Sequence, residues 1–555
     1  MDMRGRVPPI SAPQGFRWGE PRIEYGSRPG FMKIASLLSF AARHISQAEG
    51  ESERPKSCWY RFRAILEVRE TLTLAVSELP PHFQRSSLTS GYYRECAGKK
   101  ADSQVYPMST ALIQPRVPPG PKGTIIGGNI RQLRAGPLDF FLSTAREYGP
   151  LASFRIGPKR VFLATEPDLI EQVLVTDAKH YIKHFGARAF KPVLGNGLVT
   201  SEGAFWLRQR KLIQPAFSKD RVQSYAAAMI ELTNEMLDSW VDGKSIQIDR
   251  EFEALTSKIA LKTLFDLDDP GDRERFRDTL RIAFDLMNER LRRMVKIPLW
   301  VPTRANRRLE QAVTELNQTV EGFIAEGRSR DHPGDDLLSR LLFAQHEDGT
   351  RMSDRQLRDE AMTLYLAGHE TTALTLAWTW YLLSQNPHVE DKLVSEWQRV
   401  LRGATPTTQR LPKLTYTAAV IAESMRLFPP VYVIGREAIT DLELGGYRVK
   451  RGYTVLMSQW VNHRDPKYFP DPEAFHPERW EHGLAKRLPK FAYYPFGGGQ
   501  RLCVGNAFAL TEAAIILPAV GQRYRFTLDP DAMIGIKPQI TLLPANGIPA
   551  TVQQR

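Results

Sequence analysis

Apolar residues recur at three- and four-residue spacing among charges over 277–294 and 304–327, the pattern of amphipathic helices. The longest predicted helix starts at Ser353, where Ser353 and Gln356 fit a capping box, and runs to Asn386, where Pro387 stops it. A helix of that length spans about 50 Å at 1.5 Å per residue, the width of a large domain. Its inner part, AMTLYLAGHETTALTLAWTWYLL, is mostly apolar and long enough to cross a bilayer. Its centre, however, holds His369, Glu370, Thr371 and Thr372 in a row, and a carboxylate in mid-membrane is costly. The stretch is therefore read as a helix buried in a soluble core, with a polar centre that needs a reason. Beyond Arg436, LELGGYRV, YTVLMSQW and ITLLPA read as short strands between turn residues. The pattern predicts a mainly α chain with a smaller β portion (α+β) weighted toward the C-terminal half, without internal repeats.

Residues 1–107 break with this pattern. They mix Pro, Gly, Ser and Arg with little periodicity, apart from a short helix expected over 61–77. MKIASLLSFAARHI, from Met32, has a short apolar run but lies internally and lacks a small-residue cleavage site, so it is not read as a signal peptide. Met108 opens MSTALIQPRVPPGPKG, a stiff leader into a fold. The expectation is a poorly structured extension over 1–107, with Met108 the true start, and one domain over 108–555. A genuine targeting or interaction arm is the alternative.

Composition adds limits. With 42% hydrophobic and 25% charged residues, the chain can fill a sizeable core. The net charge of +13 divides into +5 over 1–107 and +8 beyond, without a long Lys/Arg run or an aromatic-basic motif, which argues against nucleic acid. The cysteines are Cys58, Cys96 and Cys503, too few for a disulfide framework and without the spacing of a zinc site.

Cys503 stands in FGGGQRLCVG, residues 496–505, and three other patterns precede it: AGHETT at 367–372, ESMR at 423–426 and PERW at 477–480. Together they resemble the cytochrome P-450 family of haem-thiolate monooxygenases, over Met108 to the C-terminus. The last pattern fits the family's F-x-x-G-x-R-x-C-x-G signature at Phe496, Gly499, Arg501, Cys503 and Gly505. The resemblance implies the P-450 fold, with the long central helix over a haem b and the cysteine loop beneath it, and no flavin on this chain. It makes Cys503 the axial iron ligand, because a thiolate donates the electron density that favours O–O cleavage. Glycines such as Gly497 and Gly505 would shape a close backbone cradle, Phe496 would cover the sulfur, and Arg501 would pair with a haem propionate. Trp206 and Arg210 of WLRQR match the family's W-x-x-x-R helix, and Arg436 of VIGREA stands where another propionate arginine occurs. Ala367 and Gly368 would leave room for dioxygen on the opposite face, with Thr371 at the oxygen site and Glu370 in the proton supply. Thr372 is read as a packing threonine, and His369 as a histidine satisfied by its neighbours. Glu423 and Arg426 at i,i+3 would alone be a weak surface pair; in the family they form a buried structural cluster with the later arginine, here Arg479.

The catalytic domain uses all the chain past Met108, and no G-x-G-x-x-G follows a strand, so electrons are expected from a separate ferredoxin and its reductase or from a flavodoxin. Lys486, Arg487, Lys490, Arg208, Lys211 and Lys219 are either a docking face for such an acidic carrier or scattered solvating charges. A cytoplasmic monomer without a membrane anchor is expected. The candidate pocket segments HFGARAFKPVLGNG, PPVYVI and PANGIP are apolar, favouring a hydrophobic small-molecule substrate. The style of AGHETT and HRDPKYFPDPEAFHPERW resembles the family's fatty-acid and alkane hydroxylases, while a terpenoid fits nearly as well. Two alternatives are a peroxide-dependent peroxygenase or hydroperoxide isomerase, which commonly lacks the Glu370–Thr371 pair, and a non-catalytic haem sensor, which needs no proton-delivery pair.

Overall fold

The computed structural model describes residues 117–267, 270–292, 297–329 and 334–555. The extension expected over 1–107, with its 61–77 helix, and the start at Met108 lie outside the described residues. The long helix runs Asp354–Gln385, and Ser353 and Gln356 make both bonds of the capping box. Its first half packs through Leu357, Met362 and Tyr365 against the helices Ile248–Phe265, Pro270–Arg292 and Arg304–Arg328. Its second half buries Trp378 and Trp380 among the helices Thr415–Leu427 and Asn506–Arg523. Apolar neighbours on every side explain the missing helical stripe, and each large buried side chain contributes on the order of 1.5–3 kcal/mol. No described helix is long and apolar enough to cross a membrane.

The predicted strands are present with altered roles. LELGGYRV is a hairpin of Leu442–Leu444 and Tyr447–Val449, turned by Gly445 and Gly446, both at positive φ as such a tight turn requires. YTVLMSQW gives a strand over Thr454–Met457, after which Ser458 caps a short helix, Gln459–Asn462. ITLLPA supplies Leu542–Pro544, paired with Ile536–Pro538.

The largest sheet draws on upstream strands that the periodicity did not predict. These are β1 (Leu151–Ile156), β2 (Lys159–Ala164) and β3 (Tyr181–Lys183), joined by β4 (Ile434–Ala438) and β5 (Thr454–Met457) in the order β1-β2-β5-β4-β3. The antiparallel register of β3 on β4 sets Lys183 directly opposite Arg436. Opposed residues project to the same face of a sheet, and like charges placed so repel.

Candidate active site

One cavity of about 320 Å³ lies between the central helix and the cysteine loop. The helix lends it Thr363, Leu364, Ala367, Gly368, Thr371 and Thr375. The Thr371 hydroxyl donates to the Ala367 carbonyl at 2.8 Å, four residues back, and Thr372 donates to Gly368 at 3.2 Å. Thr375 and Thr379 repeat the bond at 3.0 and 2.6 Å. Such back-bonds compete with the helical ladder, yet the helix stays continuous through them.

Two neighbours of Thr371 point elsewhere. His369 is buried against Tyr365, stacked at 4.5 Å, with its Nδ1 2.9 Å from the Tyr365 carbonyl. Burial lowers its pKa, so the neutral ring is favoured. Glu370 does not wall the cavity. Its carboxylate accepts from Thr541 Oγ1 at 2.9 Å, and burial pushes its pKa up to about 7.

Below, Gly497 and Gly499 hold positive φ in the cysteine loop. A Cβ on Gly498 would stand 2.1 Å from the Phe491 ring, and one on Gly499 would stand 2.0 Å from the Leu174 carbonyl. Only glycine permits this fold of the loop. Cys503 opens onto the cavity, just ahead of the helix Asn506–Arg523, and its N–H donates to the Phe496 carbonyl at 3.1 Å. Protein packed around the sulfur pushes the free thiol's pKa up, opposed by the Gly505 N–H and by Arg210 and Lys183.

Four cations reach this cavity: Lys183, Arg210, Arg436 and Arg501. Arg501 lies 3.8 Å over the Trp206 ring, donates to Ser201 O at 3.0 Å and pairs with Glu202. Trp206 and Arg210 share the helix Gly203–Ile213 one turn apart. Burial drives Lys183 down to about 7, with Arg436 and Arg501 adding repulsion, and drives both of those arginines to about 10. Glu202 is the carboxylate that pairs with this group. A buried surplus of positive charge is unfavourable without an anion, and the two propionates of a haem would supply one. The glycine cradle, the open cysteine sulfur and this cation cluster fit a haem between loop and helix. Lys183, Glu202 and Thr541 escaped the sequence reading, because each is a lone polar residue whose meaning comes from its neighbour across the fold.

Of the pocket segments expected from sequence, PPVYVI contributes Pro430, Val431 and Ile434. HFGARAFKPVLGNG stops short of the wall; Leu198 and Val199 just after it take the place. They are fixed by the central helix, where Asp359 accepts from Asn196 N at 2.7 Å and Glu360 from Leu198 N at 2.9 Å. PANGIP is absent from the wall. Its Ile548 is fully buried and donates its N–H to Asp249 at 2.8 Å, tying the segment to the helix Ile248–Phe265 instead.

The remaining cluster is buried. Glu423 Oε2 and Oε1 accept from Arg426 Nε and Nη2 at 2.8 and 2.9 Å, and Oε1 accepts from Arg479 Nε at 2.8 Å. Trp480 Nε1 and His476 N complete its shell at 2.9 and 3.0 Å.

The family model for cytochrome P450 matches residues 118–548. The chain belongs to the cytochrome P450 family. This P450 is 37% identical to cyclooctatin synthase of Streptomyces melanosporofaciens, over 76% of this chain and 92% of that one. It is 33% identical to pentalenene oxygenase of Streptomyces avermitilis, over 74% of this chain and 92% of that one. The crystal structure of the cytochrome P450DA heme domain superposes with a TM-score of 0.72 at 28% identity, covering 79% of this chain and 98% of that one. The protein is a haem-binding cytochrome P450 monooxygenase. A haem with a thiolate ligand supplies the reductive activation of dioxygen.

Proposed function

We propose that this P450 inserts one oxygen atom from O2 into a neutral terpenoid, with electrons carried by a separate ferredoxin and reductase or a flavodoxin. The observation that carries the substrate class is the division of the cavity. Among its lining residues, the cations are the four grouped near Glu202, while Leu198, Val199, Ala260, Leu264, Leu364 and Val431 offer only apolar surface. Those walls offer no cation to a fatty acid's carboxylate, whereas a hydrocarbon skeleton buries well against them. The names of the relatives, a cyclooctatin synthase and a pentalenene oxygenase, support a terpenoid over a fatty acid or alkane. Residues with assigned work are Cys503 as ligand with Phe496 covering its sulfur, Arg501, Arg210 and Arg436 with Lys183 on the propionates, and Trp206 packed against Arg501. Ala367 and Gly368 leave space beside Thr371, which presents its hydroxyl at the oxygen site, and Glu370 is the proton source. The Glu370–Thr371 pair favours oxygen activation over a peroxide-only enzyme or a haem sensor.

Titration of the ferric holoenzyme with terpene hydrocarbons, terpene alcohols and long-chain fatty acids tests the substrate class. Terpenoids are expected to shift the Soret band to the blue and, with a reconstituted redox chain, to yield products heavier by one oxygen atom. Turnover of fatty acids with none of terpenoids would overturn the assignment. Thr371→Ala is expected to bind the same substrate with unchanged affinity while product formation falls roughly 10²-fold, the scale of a lost proton-transfer group. Product per NADPH consumed is the measurement, and full coupling in the variant would remove Thr371 from its role.

A further inference from the structure

Glu370 lies beside Thr371 on the central helix, yet its carboxylate is turned away from the cavity toward Thr541. Thr541 is buried in the turn between Ile536–Pro538 and Leu542–Pro544. That turn is held rigidly. Tyr432 Oη donates to Gln539 O at 2.8 Å, Leu542 N to Pro430 O at 3.0 Å, and Trp378 Nε1 to Leu542 O at 2.8 Å. One of those anchors, Trp378, belongs to the central helix itself, and Pro430 lines the cavity. The Thr541 hydroxyl is thus fixed relative to both Glu370 and the substrate wall.

We propose that Thr541 is a positioning residue for Glu370, holding its carboxylate on the hairpin side of the central helix and setting how readily that group exchanges its proton. The inference rests on the proton-source role given to Glu370 above. Each proton that Glu370 releases leaves a carboxylate, which the Thr541 hydroxyl stabilises until solvent protonates it again. Burial raises the Glu370 pKa, the Thr541 bond lowers it, and Glu253 and Asp285 on the two adjoining helices raise it further, to about 7 in all. The turn residues Gln539, Ile540 and Thr541 carry no charge. Among these turn residues, Thr541 is therefore the group that favours the ionised form, and Lys537 on the adjoining strand is not among the causes of the shift.

The test is infrared difference spectroscopy of the holoenzyme across pH, with Glu370→Gln to assign the carboxyl band. The wild-type band is expected to titrate near 7 and to be missing in Glu370→Gln. Removing a donor to the carboxylate disfavours the charged form, so Thr541→Val is expected to raise the midpoint by about one unit. Thr541→Ala, whose smaller side chain the turn accommodates, is expected to do the same, and Thr541→Ser to restore the wild-type value. The alkaline limb of turnover against pH moves up with the midpoint, because a general acid works while protonated. An unchanged midpoint in Thr541→Val and Thr541→Ala, with the red-shifted carbon monoxide band intact, would overturn this proposal alone. A wild-type enzyme without that band would overturn the monooxygenase reading and this proposal with it.

Discussion

Glu423→Ala is expected to abolish stable haem incorporation and to lower folding stability by roughly 3–5 kcal/mol, the cost of removing one partner from a buried ion pair. Glu423 and Arg426 are both fully buried, and Arg479 is nearly so. In the wild type the Glu423 carboxylate takes five donors, from Arg426 twice, Arg479, Trp480 and His476. Truncation would leave two guanidinium groups without their anion. Arg426 would still donate to the carbonyls of His463, Pro472 and Ala474, at 2.8, 2.6 and 3.0 Å, but carbonyl dipoles do not neutralise a charge. A loss of that size removes a large share of an ordinary domain's 5–15 kcal/mol. Haem loss follows from position: the cluster ties the helix Thr415–Leu427 to the segment 470–480, which leads into the cysteine loop. Denaturant unfolding and the ratio of Soret to protein absorbance measure the two effects. A variant with the wild-type midpoint and full haem content would show that the cluster does not hold this region together. Glu423→Gln, which keeps the acceptor shape but not the charge, is expected to fall between.

The same cluster shows how far sequence reasoning reaches. Glu423 and Arg426 are a helix turn apart, so their meeting is legible from spacing alone, whereas their burial and the arrival of Arg479 came from resemblance. The central helix was legible in full, because Ser353, Gln356 and Pro387 mark its ends chemically and the apolar run between them has few other solutions. The strands β1 and β2 were not. LASFRI and KRVFLA are short, carry charge at one end and lie outside the strand-like C-terminal pattern, so only pairing with each other and with β5 makes them a sheet.

Illegibility was greatest where function depends on register or rotamer. Lys183 in HYIKHFG gives no local signal; it joins the cation cluster because β3 pairs with β4 and sets it opposite Arg436. Glu370 was identifiable by motif, but motif is silent on whether its carboxylate faces the cavity or the hairpin. PANGIP was read as pocket wall because it is apolar. The same quality lets Ile548 fill the core, just ahead of the strand Pro549–Gln554.

Cys503→Ser is expected to eliminate the red-shifted band of the reduced carbon monoxide complex and all measurable oxygenation, while leaving much of the haem bound. The two outcomes separate because they depend on different residues. On the proposed roles, retention would rest on the cavity-lining cations Lys183, Arg210, Arg436 and Arg501 and on the glycine cradle, none of which the substitution touches. Ligation would rest on the sulfur. The protein packed around the sulfur raises the thiol's pKa, and a ligating role would need the thiolate, which the Gly505 N–H and the positive charge of Arg210 and Lys183 favour. A serine hydroxyl in the same place is far less acidic, and those three groups cannot make an alkoxide of it near neutral pH. Without a strongly donating ligand the electron push that favours O–O cleavage is absent. The comparison is the difference spectrum of dithionite-reduced wild type and variant under carbon monoxide, beside their haem content. A variant that keeps both the red-shifted band and its turnover would take Cys503 out of the site. A variant that loses its haem entirely would instead mean that the sulfur, more than the four cations, carries cofactor binding.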